Sequence, residues 1–208
     1  MADNVPISGA GAATAAADEV DYSGDTTKVQ LVRLVDVTGS EGSRSLQTPR
    51  FVMCSTDVTR PADTTAYAVN DALSNSTSAP TSGGFTFTGA AAVSGGAGVI
   101  TDALIASSAV PGTLLQGELW IFDRAVTNIN DNAAFAISDS EVKTIIGKVP
   151  FSLESMGANN SAYHAQNLNI GFVCNGSANL RFLVRVKNAY TPANAEVFTF
   201  VLKIQQLP

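Results

Sequence analysis

Charge is what this 208-residue chain has least of. Asp, Glu, Lys and Arg make up 14% of it, against roughly 25% in ordinary soluble domains, and Ala, Ser, Thr, Asn and Gly take their place. A surface of small neutral residues is poorly defended against association, so the composition points to a surface covered in an assembly. Histidine and tryptophan occur once each, as His164 and Trp120, and cysteine twice, as Cys54 and Cys174. With no CxxC pair, no HExxH and no Cys/His cluster, zinc catalysis has no motif to rest on. The two distant cysteines read as reduced, buried single residues. No apolar run approaches the ~20 residues of a membrane span. The N-terminus lacks the basic and apolar segments of a signal peptide, which predicts a protein made in the cytoplasm and not exported by the usual route. A net charge of −6 and a pI near 4.6 argue against nucleic acid as a partner, because neutralising phosphates needs a basic patch.

The charge that is present is unevenly placed. Asp3, Asp18, Glu19, Asp21 and Asp25 precede the first basic residue, Lys28, whereas Arg181, Arg185, Lys187 and Lys203 crowd the C-terminal end. An acidic N-terminal stretch of this kind can dock on a basic neighbour. Residues 1–24 also carry almost nothing to bury and read as an extended arm that orders against a partner. Residues 28–37 read as a first strand and 39–48 as a Gly/Ser-rich connection. The expected division is thus an arm with one strand over residues 1–48 and a β domain over 49–208.

Within that domain the organising stretch is residues 114–122, Leu-Leu-Gln-Gly-Glu-Leu-Trp-Ile-Phe. Leu115 and Leu119 alternate against Gln116 and Glu118, the period of a strand with one buried face. From Leu119 to Phe122 every residue is apolar, so this half needs cover on both faces and belongs mid-sheet. Further strands are expected at 51–58, 85–88 and 99–107. Residues 74–84 form a polar excursion of the length that serves for binding or as a mobile tip. Ser138 three residues before Glu141 is a capping box, and Val142, Ile145 and Ile146 with Gly147 behind them predict one helix over 139–146. Three alternating runs close the chain, through Leu168–Cys174, Leu180–Val186 and Phe198–Ile204, with turn residues between them, and read as an antiparallel meander or part of a Greek key. The fold class that follows is all-β, an antiparallel β-sandwich of jelly-roll type with one short helix and an extended N-terminal arm.

The chain offers no catalytic, cofactor-binding or metal-binding set. His164 is expected in a polar loop over 159–167, and a lone loop histidine is a solvated or interface residue before it is a general base. Glu118 is the one acid on the central strand, where a glycosidase needs two carboxylates across a cleft. The runs Gly9-Ala10-Gly11 and Gly95-Gly96-Ala97-Gly98 lack the ending and context of a phosphate loop. Asn128, Asn130, Asp131 and Asn132 lack the spacing of a calcium loop and read as a turn. Trp120 and Phe122 are candidates for a sugar-binding face, with burial in the core as the plainer reading.

Two stretches resemble virion proteins of tailed bacteriophages. One is the opening Met1-Ala2-Asp3-Asn4, the step Asp18-Glu19-Val20-Asp21-Tyr22, and then Lys28-Val29-Gln30-Leu31-Val32 and Thr38-Gly39-Ser40-Glu41-Gly42. The other is Leu119-Trp120-Ile121-Phe122-Asp123, followed by the run from Thr127 to Phe135 and by Ile146-Gly147-Lys148-Val149-Pro150-Phe151. The resemblance implies a capsid decoration or cement protein, without enzymatic activity and without a cofactor, on the exterior of the virion. Its implied partners are the major capsid protein and neighbouring copies of itself. Closed homo-oligomers are the general rule, and a trimer or dimer is the expectation on that ground alone. The alternative expectation is a tail or fibre component that recognises a host glycan through its loops.

Overall fold

Strand-forming residues dominate the structure, a computed structural model that describes residues 50–207 together with the pieces Asp18–Glu19 and Gln30–Leu31. The chain divides into two units, Met1–Leu46 and Gln47–Pro208. In the first, β1 (Asp18–Glu19) pairs antiparallel with β2 (Gln30–Leu31). The rest of the expected arm and first strand lies outside the described residues.

The second unit contains β3 (Arg50–Thr59), β4 (Ala72–Leu73), β5 (Phe85–Phe87), β6 (Ala97–Ser107), β7 (Gln116–Phe122), α1 (Asp139–Val142), β8 (Ile145–Ser152), β9 (Glu154–Ser155), β10 (Ser161–Ala165), β11 (Ile170–Val173), β12 (Leu180–Val186) and β13 (Val197–Gln206). They form two antiparallel sheets. One runs β3-β13-β6-β10-β9, with β11 also on β6; the other runs β4-β12-β7-β8, with β5 also on β12.

Two strand positions are each filled by two pieces. β4 pairs with Val184 and Arg185 of β12, and β5 takes up the same strand at Leu180 to Phe182. Residues 74–84 therefore loop out of one edge strand opposite Leu183. In the other sheet β10 pairs with Ala103–Ser107 of β6 and β11 with Ala97–Ile100. The break between them holds Asn167 and Asn169 at positive φ, a conformation Asn tolerates better than most residues.

Alternation explains the core. Cys54 and Val58 of β3, Ile100 and Ile105 of β6, and Phe198, Phe200, Leu202 and Ile204 of β13 point inward from one sheet. Leu119 and Ile121 of β7, Val149 and Phe151 of β8, and Leu180, Phe182 and Val184 of β12 meet them from the other. Phe182 and Phe200 touch across the gap, ring centroids 5.0 Å apart. A second, smaller cluster lies outside the second sheet, where Phe122, Leu183 and Val126 are covered by Ile129, Phe135 and Ile137. β7 is thus mid-sheet and covered on both faces over its second half, as its sequence predicts.

Three expectations are corrected. The helix is Asp139–Val142 alone, with its capping box formed, while Ile145 and Ile146 begin β8. A β-bulge against β7 at Ile121/Phe122 sends Ile145 to the outer cluster and Ile146 to the main core. Val142 is exposed, so no helical face is buried. Gly147 is not a helix stop but a close approach of the sheets, since a Cβ there would stand 2.9 Å from Ile170. Of the two readings of the last three strands, meander or part of a Greek key, the meander is excluded, because β11, β12 and β13 belong alternately to the first, second and first sheet. His164 lies in β10, paired with Leu104, and not in a loop.

Candidate functional site

Outside the second sheet, where the loop of residues 123–138 ends its cover, one aromatic ring stands between two cations. Trp120 points outward from β7 and is half-buried. Lys148 of β8, its register partner on one side, brings its ammonium to 5.4 Å from the ring centroid, and Arg185 of β12 brings its guanidinium to 5.2 Å from the other side. Phe135 packs 5.8 Å away. Beneath them Glu118, 7% exposed, accepts from Lys148 Nζ at 2.9 Å, from Arg185 Nε at 2.7 Å and from Trp120 Nε1 at 3.2 Å. Burial raises the Glu118 carboxyl, but the hydrogen bonds and charges of Lys148 and Arg185 outweigh it, so its pKa is lowered and it is an anion near neutral pH. Lys187 continues the outward row beyond Arg185, exposed, with Nζ 3.4 Å from Asn70 Oδ1.

The face therefore carries Lys148, Arg185 and Lys187 against Glu118. Lys148 and Arg185 are held by a single carboxylate and keep part of their charge toward solvent, with side chains 42% and 24% exposed. Such a surface attracts an anionic or aromatic-bearing partner. Among the described residues it carries no second carboxylate placed for acid–base work on a sugar.

The loops beside it are braced. Asn75 Oδ1 accepts from Thr81 N at 3.1 Å, Asn128 Nδ2 donates to Thr81 O at 3.0 Å, and Asp131 N donates to Ser76 O at 2.8 Å. Ser74, expected in a surface excursion, is fully buried. An open depression of about 500 Å³ lies between residues 80–83 and 125–128, and one of about 400 Å³ lies on the far side of Thr81 against Thr56 and Thr59.

At the root of these loops is a polar network that the sequence does not announce. Arg60 and Asp131 are 71 positions apart and pair at 2.9 Å with both side chains out of solvent. Asp131 also accepts from Tyr67 OH at 2.5 Å and Ser74 N at 2.7 Å, while Arg60 donates to Tyr67. Tyr67 stacks on Tyr190, whose hydroxyl donates to buried Glu196 at 2.6 Å. Burial, followed by the neighbouring carboxylates, drives both phenols far above their ordinary range, so both remain neutral donors.

The remaining candidates do not converge. His164 Nε2 is 3.8 Å from Asp102 Oδ1 on the outer face of the first sheet. Burial pushes Cys174 up to about 11 and raises Cys54, so neither thiol, both free and buried, is a ready nucleophile. Asn128 Oδ1 accepts from Ile129 N and Ser74 Oγ, and the Asp131 oxygens are engaged as above, so this turn presents no open ligand set. Among the described residues no group of three or more His, Cys, Asp or Glu is placed to hold a metal ion.

A scan against protein-family models finds no match, and a search of curated proteins finds none either.

Proposed function

We propose that the chain is a structural protein of a tailed-bacteriophage virion that binds the assembled capsid as a decoration or cement protein. The carrying observation is the strand order. Lettering the eight strand positions in chain order makes β3 B, β4 with β5 C, β6 D, β7 E, β8 F, β10 with β11 G, β12 H and β13 I. The sheets then run B-I-D-G and C-H-E-F, an order that supports reading the two sheets as a jelly roll, which is an architecture of viral shell domains and of lectins. Exposed Phe51 and Met53 on the ten-residue edge strand β3 add a surface suited to burial in an assembly. In this reading the protein is not an enzyme. It sits on the outside of the shell, contacts the major capsid protein and copies of itself, and stabilises the shell in proportion to its binding free energy.

A second reading, host-glycan recognition from the tail or a fibre, is favoured by the half-exposed Trp120. Copy number in purified particles separates the two. Decoration requires many copies spread over the shell, and a few copies at one vertex would replace it with the tail reading.

A further inference from the structure

The outer row of the second sheet ends in Lys148, Arg185 and Lys187 around Trp120, whereas every charge before Lys28 is negative. We propose that this face docks the acidic N-terminal segment, Asp18 to Asp25, of a second copy of the chain. Charge complementarity selects that occupant. The segment offers Asp18, Glu19, Asp21 and Asp25 within eight positions, with Tyr22 among them. On the face, Glu118 lies beneath the cations and answers part of the charge of Lys148 and Arg185, while Lys187 has Asn70 as its neutral neighbour. Carboxylates arriving from outside meet these cations at a partly desolvated aromatic surface, where ion pairs are worth more than in open water. Each copy carries both the acidic segment and the basic face, so the contact is complementary between any two copies and links neighbours into a closed ring or a reciprocal pair.

The inference rests on the shell reading for its place on the particle and names the surface through which copies meet. Its test uses free protein, so its failure and the failure of shell binding are read from different samples. Trp120 is the only tryptophan and lies in the contact, so its emission reports docking directly. The full chain is diluted at low salt while sedimentation and Trp120 emission are followed. The same is done for Asp18→Lys with Asp21→Lys, for Lys148→Glu with Lys187→Glu, and for an equal mixture of the two variants.

The expected result is one concentration midpoint for association and emission, weakened roughly tenfold in each variant, lowered by added salt, and restored in the mixture. In the mixture the unaltered segment of one variant meets the unaltered face of the other, and the reversed segment meets the reversed face, so every contact between unlike copies is charge-matched; the unfolding midpoint of each variant, measured alone, shows that it is folded. Emission that changes with the substitutions but not with concentration would place the segment on its own chain and overturn the second-copy contact. Association unaffected by either charge reversal overturns the proposal, as does failure of the mixture to recover when both variants keep the wild-type unfolding midpoint. An emission change on adding an oligosaccharide, equal in wild type and variants, assigns the face to a glycan instead.

Discussion

At the scale of single residues, the physical roles divide between Trp120 and Asp131. Alternation places Trp120 on β7 correctly, but it leaves open which layer lies against that face, and the layer turns out to be a loop and two cations instead of the main core. Trp120→Ala should therefore cost about 1–3 kcal/mol, under the roughly 3–5 kcal/mol of a fully buried aromatic, while Leu119→Ala, which empties a closed site, should cost about 2–5 kcal/mol; urea unfolding of both variants measures the order. Asp131 looked like one more turn residue in an Asn/Asp-rich run. Its partners, Arg60, Tyr67 and Ser74, come from distant parts of the chain, and nothing local in sequence marks a carboxylate that will be buried. Asp131→Ala leaves a desolvated guanidinium and should destabilise by about 3–5 kcal/mol. A loss below about 1 kcal/mol in the same assay would mean that Arg60 is not held as described.

At the scale of elements, local chemistry was legible and its extent was not. The capping box of Ser138 and Glu141 forms as the sequence predicts, but Ile145 and Ile146 have a spacing that fits a helical face and a bulged strand equally. What decides is pairing with β7, which sequence periodicity does not contain. The cap also ties the loop of residues 123–138 in place, since Glu141 accepts from Ser138 and, at 2.5 Å, from Thr127 N. The Ser138 hydroxyl bond, followed by the Thr127 amide bond, lowers the Glu141 carboxyl from 4.5 to about 2. A depressed carboxyl pKa contributes stability that is present above pH 4.5 and lost as pH falls toward 2. Glu141→Gln should accordingly be less stable than wild type at neutral pH, with the difference shrinking between those two values. A gap independent of pH would show that shape, and not ionisation, is what Glu141 supplies.

At the scale of the whole molecule, the two-sheet all-β architecture could be read from runs such as Leu180–Val186 and Phe198–Ile204, because one buried face per strand forces a sandwich. The order of strands could not. Alternation tells which side of a strand is buried and says nothing of which strand lies beside it, so three successive strands that looked like a meander belong in turn to opposite sheets. The proposed mechanical role on a shell rests on that order, together with a low content of charged residues and an acidic N-terminal stretch. The account is tested most directly by heating particles at low salt with and without this protein, and again after the purified chain is added back, while genome release is followed. The account predicts release at a lower temperature from particles lacking the protein, recovery on add-back, and no change in either property with His164→Ala. Equal release temperatures in all samples, with loss of adsorption to host cells when the protein is absent, would contradict it and assign the protein to host recognition.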